Sequence, residues 1–109
     1  MKSLAADNAK KIPPAATFDQ IERTTDPLTL VHHSRDASAF EMIPEEVFYP
    51  KSVSEIQALI RKCNEDKADI CVRAGGTCMS GGSLTMGRIM NMTKHMHAVS
   101  EISDETITV

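Results

Sequence analysis

Four of the chain's five glycines fall within the eleven residues Arg73-Ala-Gly-Gly-Thr-Cys-Met-Ser-Gly-Gly-Ser83, directly after the apolar run Ile70-Cys71-Val72. A strand that empties into paired glycines, Gly75 and Gly76, commits the chain to a loop with positive φ and close approach of another group, which a Cβ would obstruct. The loop then presents free backbone N–H groups, the hydroxyls of Thr77, Ser80 and Ser83, and one cation, Arg73, at its base. Such a donor set suits an anion with several oxygens, a phosphate or pyrophosphate. An ordinary glycine-rich turn between two strands uses the same residue types and is the competing reading.

The spacing excludes the two common phosphate loops. Gly76 and Gly81 have the separation of a Walker loop, but Gly82 occupies the position that its lysine needs. The dinucleotide fingerprint requires glycines two and then three apart, and positions 75, 76, 81, 82 and 87 contain no pair two apart.

The flanking sequence predicts an α+β fold, a β-α-β unit with following β strands. Val47-Phe48-Tyr49 is a short β-prone run between Pro44 and Pro50. Ser52 and Glu55 form a capping box, and Val53, Ile56, Leu59, Ile60 and Cys63 share one face of a helix over 53–66. With the strand at 70–73, these predict two parallel strands joined by a helix, the glycine loop standing at the carboxyl end of the second. Upstream, residues 1–16 read as a flexible leader to a domain over 17–109, with a capped helix over 18–25 that Asp26-Pro27 ends and a brief strand at Leu28–Val31. Downstream, Arg88–Met92 is expected as a strand, Met96, Val99 and Ile102 as core, and Ile102–Ile107 as a hairpin turning at Asp104-Glu105.

Other polar clusters carry less. His32-His33 reads as a solvated or locally hydrogen-bonded loop in preference to a metal site, with Asp36 closing an Asx turn. His95 and His97 lack a third ligand at suitable spacing. Cys63, Cys71 and Cys78 lie eight and seven apart, which fits reduced thiols and neither a disulfide framework nor a Cys-x-x-Cys site. A formal net charge of -3 argues against a nucleic-acid surface. The absence of a long apolar run or signal-like segment points to a cytoplasmic protein, a peripheral place at the inner membrane remaining open. The chain ends on the strand-like Ile107-Thr-Val109, which reads as a cut inside a domain. Self-association through an exposed edge is therefore expected as an alternative role, as is a nonredox phosphate- or nucleotide-binding module.

Arg-Ala-Gly-Gly-Thr-x-x-Ser-Gly-Gly, preceded by Pro44-Glu-Glu-Val-Phe-Tyr-Pro50 and Ser52-Val-Ser-Glu-Ile-Gln57, resembles the FAD-binding domain of the vanillyl-alcohol oxidase and p-cresol methylhydroxylase superfamily. Ser34-Arg-Asp-Ala-Ser38 narrows the likeness to the D-lactate dehydrogenase and glycolate oxidase flavoprotein-subunit group. The resemblance covers about residues 30–109 and implies the first subdomain of a domain about twice as long. It further implies that Ala74, Gly75, Gly76, Thr77, Cys78, Ser80, Gly81, Gly82 and Ser83 cradle the FAD pyrophosphate, with Arg73 steadying the loop or the phosphate field. Relatives that bind flavin covalently use a histidine after the paired glycines. Thr77 stands there, which implies noncovalent FAD. Cys78 departs from the serine more usual at its position. The implied activity is oxidation of a 2-hydroxy acid, D-lactate or glycolate in type, with substrate and catalytic residues beyond residue 109 and this piece inactive alone.

Overall fold

The computed structural model describes residues 15–109. Its elements are a 3₁₀ turn at Phe18–Gln20, strand β1 at Glu22–Thr24, helix α1 at Pro27–His32, strand β2 at Glu46–Tyr49, helix α2 at Val53–Asp66, strand β3 at Ile70–Arg73 and strand β4 at Arg88–Asn91. The mixed α+β class agrees with the sequence. Residues 1–14 of the expected leader lie outside the described residues, and the Ala16 N–H donates to Ser54 Oγ at 2.7 Å.

Helix α2 has the expected bounds because both its ends are chemically marked. Ser52 Oγ accepts the Glu55 N–H at 3.2 Å, and the Glu55 carboxylate accepts the Lys51 N–H at 2.7 Å. At the other end Lys67 turns left-handed, φ 52°, and the Ala68 N–H closes onto the Cys63 carbonyl at 2.9 Å. The buried stripe is narrower than the sequence pattern suggested. Ala58, Leu59 and Cys63 are buried, whereas Val53 and Ile60 are 63% and 49% exposed. Val53 sits at the first helical position, past the sheet's reach, and Ile60 lies about 100° of helix rotation beyond Leu59.

Three upstream expectations are corrected, among them the brief strand at Leu28–Val31, which lies within helix α1. The helix expected over 18–25 is a single 3₁₀ turn followed by an extended β1, which pairs antiparallel with β2. Arg23 of that strand stacks its guanidinium 4.0 Å from the Phe18 ring centre and 4.9 Å from that of Phe48, giving the segment a tertiary reason to extend. Asp26-Pro27 begins a helix where it was expected to end one. The Asp26 carboxylate accepts the Thr29 N–H at 3.0 Å, and Pro27 occupies the first helical position, where its missing N–H costs nothing.

The sheet runs β1-β2-β4-β3, with β4 parallel to both its neighbours. Strands β2 and β3 are therefore parallel, as the β-α-β reading required, but β4 is inserted between them. Ile89 and Met90 are fully or nearly buried, while Val72 of β3 is 57% exposed, as befits a central β4 and an edge β3. Gly87 makes that insertion possible. A Cβ there would stand 2.5 Å from the Asp69 carbonyl oxygen. The Gly87 carbonyl accepts from the Glu45 N–H at 2.8 Å, and the next amide, Arg88, donates to the Asp69 carbonyl at 2.8 Å.

Strand alternation divides the residues between two faces. Phe48, Met90 and Ile70 pack with Ala58, Leu59 and Cys63 of α2 and with Ile21. The registers Val47 to Ile89 to Cys71, and Asn91 to Arg73, put those five on the opposite face. That second face carries the glycine loop. Met96 is half-buried, but Val99 and Ile102, expected as core, are exposed. Ile102 belongs to the predicted hairpin, which is present and, among the described residues, forms no bridge with the sheet. Ile102 bridges Ile107, and Ser103 Oγ accepts the Thr106 N–H at 3.0 Å in place of a glycine turn.

Replacing Gly87 with Ala should destabilise the domain by about 1–3 kcal/mol in urea unfolding, because a methyl group must displace the Asp69 backbone. At Gly75 the nearest atom to an added Cβ is Thr77 Cγ2 at 3.7 Å. Gly75→Ala should accordingly change stability by less than about 0.5 kcal/mol.

Candidate functional site

Arg73 is the last residue of β3, and its side chain is 6% exposed. A buried guanidinium must find acceptors. It donates to the Arg35 carbonyl at 2.8 Å and to the His33 carbonyl at 3.4 Å. The chain then folds back over it. Gly76 takes φ +67°, and a Cβ at that position would stand 2.7 Å from the Arg73 Cζ, so glycine is required both by backbone conformation and by the cation beneath.

Beyond Gly76 the loop runs exposed through Thr77, Cys78, Met79 and Ser80 to Gly81, whose φ is +81°. Among the described residues, none of the N–H groups from Ala74 to Gly82 donates to a protein acceptor, while the Ser83 N–H faces the Asp36 carboxylate. The turn is closed after them, where the Leu84 N–H meets the Gly81 carbonyl at 3.2 Å. The hydroxyls of Thr77 and Ser80 are likewise exposed, without a partner among the described residues. Ser83 differs. It is 3% exposed and gives its hydroxyl proton to Asp36 Oδ2 at 3.1 Å. The donors of the loop thus fit a diphosphate, a group with many acceptor oxygens and no donors of its own, with the Ser83 hydroxyl already committed elsewhere.

The segment 33–40 braces this loop at several points. Asp36 Oδ1 accepts the Ser38 N–H at 2.8 Å, forming the expected Asx turn. Hydrogen bonds from Ser38 first, and from Ser83, hold the Asp36 carboxyl below its ordinary pKa despite opposing desolvation. Phe40 Cδ2 lies 3.0 Å from where a Cβ on Gly81 would stand. Cys71 Sγ–H points to the Gly82 carbonyl at 3.2 Å, and burial pushes that thiol's pKa up, which keeps it protonated as a donor.

Behind the loop stands His33, 4% exposed. Its Nδ1–H donates to the Thr29 carbonyl at 2.8 Å, so the neutral ring's Nε2 accepts from Asn91 Nδ2 at 3.0 Å. His33, Asp36, Phe40 and Asn91 were not singled out as site residues in the sequence, since each acquires its contact only through the tertiary fold. His95 is no ligand in this arrangement: its Nε2 meets Glu22 Oε2 at 2.6 Å. Hydrogen bonds from Lys94 first, and then His95, hold the Glu22 carboxyl down to about 2. A cavity of about 490 Å³ lies near His95, lined by Lys51, Met92 and Met96 among others and by no residue of the glycine loop.

Residues 44–109 match the family model described as FAD binding domain. The chain is 33% identical over 75 residues to D-2-hydroxyglutarate dehydrogenase of Pantoea ananatis, covering 66% of this chain and 7% of that protein. It is 32% identical over 78 residues to glycolate oxidase subunit GlcD of Bacillus subtilis, covering 70% of this chain and 17% of that protein. The chain therefore spans only a small part of the length of these relatives. Among solved structures, alkyldihydroxyacetonephosphate synthase superposes with a TM-score of 0.65 at 15% identity, over 96% of this chain and 22% of that one. The BBE-like 1 protein of Physcomitrella patens gives 0.58 at 14% identity, over 91% and 21%. These likenesses show the fold.

Burial, then the neighbouring charges of Arg73 and His32, lower the His33 pKa from its ordinary 6.5, outweighing the opposite pull of the Thr29 carbonyl. The unfolded chain therefore takes up the proton first, and the stability that neutral His33 confers is present above pH 6.5 and lost as pH falls toward the lowered folded value. The melting temperature should drop on acidification from pH 7 to 5, and His33→Gln should flatten that drop. Parallel curves for the two proteins would contradict this account of His33.

Proposed function

The chain belongs to the FAD binding domain family, its cofactor is accordingly FAD, and from that premise we propose that the backbone N–H groups of residues 74–82 hold the FAD diphosphate. The observation that carries this reading is the run of nine consecutive amides, Ala74 to Gly82, without a protein acceptor among the described residues, opened by positive φ at Gly76 and Gly81. A diphosphate in a partly enclosed site needs several donors, and charge-assisted bonds to amides are the strong kind. Thr77 and Ser80 add hydroxyl donors. Arg73 acts from beneath, holding the loop open through Gly76. Ser83 closes the far end of the loop, its hydroxyl and its N–H both turned to Asp36.

FAD is held noncovalently at this loop, since Thr77 follows the paired glycines and its hydroxyl is a hydrogen-bond donor there. The intact protein is a flavin-dependent oxidoreductase acting on a 2-hydroxy acid. Two similar proteins support this substrate class by name, since glycolate and D-2-hydroxyglutarate share a hydroxyl on the carbon beside a carboxylate. Bound FAD would supply the acceptor for the hydride that leaves that carbon, the hydroxyl proton passing to a base, as the alcohol becomes a carbonyl. This chain's part is to bind and orient, and the groups that touch substrate lie outside residues 1–109.

Denaturing the intact protein with acid should leave FAD in the supernatant and none on the precipitated chain. Gly76→Ala should weaken FAD binding about tenfold or more, the equivalent of roughly 1–3 kcal/mol of backbone strain at a positive φ. Affinity within about twofold of the natural protein would sink the reading.

A further inference from the structure

The family match begins at residue 44, yet the loop's far end is held by a residue upstream of it. We propose that Asp36 is a positioning residue for the diphosphate, fixing the Gly81–Ser83 turn, and with it the Gly82 amide, through the Ser83 hydroxyl. This inference rests on the diphosphate reading above and assigns to that site a residue no comparison places there.

Three observations converge on it. First, both partners are constrained: Ser83 is 3% exposed, and its hydroxyl reaches Asp36 Oδ2 at 3.1 Å. Second, the carboxylate cannot swing, because its other oxygen accepts the Ser38 N–H at 2.8 Å. Third, the same short segment closes on the preceding glycine. Phe40 Cδ2 and Ser38 Oγ lie 3.0 Å and 3.7 Å from the Cβ position of Gly81, and Ser38 Oγ accepts the Phe40 N–H at 3.1 Å. The Arg73 contacts to the His33 and Arg35 carbonyls hold the near end of the loop from this segment as well. The loop is therefore stretched between two supports, Arg73 and Asp36.

A negative charge beside a diphosphate site needs a reason, since a carboxylate facing the ligand would repel it. Ser83 and Ser38 supply one. Their donated hydrogens occupy both carboxylate oxygens, so Asp36 works on the loop and not on the ligand. A neutral acceptor does this less well, because hydrogen bonds to an ionised group are about twice as strong as neutral ones.

The test uses the intact apoprotein with ADP, which carries the diphosphate, and adenosine, which does not. The natural protein should bind ADP more tightly than adenosine. If it does not, the diphosphate reading itself fails. Asp36→Ala should weaken ADP binding about tenfold or more while leaving adenosine binding within about twofold. Ser83→Ala should produce a selective loss of the same kind, and the double substitution should cost no more than Asp36→Ala alone, because the bond from the Ser83 hydroxyl is already lost with Asp36. Asp36→Asn, which keeps the shape and one acceptor oxygen, should fall between and serves if Asp36→Ala does not fold. A natural ADP-to-adenosine ratio in both Asp36 variants, or equal losses for both ligands, would overturn the positioning role.

Discussion

One buried cation sets the arrangement of the functional surface. The Arg73 guanidinium, nearly sealed from water, can be accommodated only if carbonyl groups turn toward it, and those of His33 and Arg35 do so. Two segments some forty residues apart in sequence are thereby joined. The cation also constrains the residues after it: the chain must cross over the guanidinium at Gly76, where a side chain has no room and the backbone takes a conformation glycine tolerates. A loop of uncommitted amides is the consequence, since residues held away from both strands and helices have no ladder to join.

The sheet supports this by separating two tasks. On one face α2 packs Leu59, Ala58 and Cys63 against Phe48 and Met90, a hydrophobic core that makes no use of the glycine loop. On the other face Arg73, Asn91 and Cys71 reach the loop or the residues that brace it. The central position of β4 couples the two, because Asn91 and Met90 are neighbours on one strand and point to opposite faces. Placing that strand between two parallel neighbours depends on Gly87, where backbone approaches backbone closely.

Much of this was legible in the sequence wherever a local signal had no strong rival. Helix α2 carried a cap at its start and an apolar repeat along its length, and its bounds came out as expected. The glycine run announced its loop, and its likeness to FAD-binding domains agrees with the family match. Asp26-Pro27 was misleading because the same dipeptide ends one helix and caps the next, and the choice depends on Thr29 offering its N–H. The order of the strands was hidden too, since nothing local says that β4 will insert between β2 and β3. Asp36 was read as a local turn, which it is, but its bond to Ser83 spans 47 residues and leaves no trace in either neighbourhood.

The central proposal is that the amides from Ala74 to Gly82 are the cofactor's principal ligands on this chain. Backbone hydrogen exchange of the intact protein, followed by mass spectrometry with and without FAD, tests it most directly. Peptides spanning residues 74–83 should exchange fast in the apoprotein and become strongly protected when FAD is bound, while α2 changes little. Uptake of FAD with unchanged exchange across 74–83, and protection appearing elsewhere in the chain, would contradict the account.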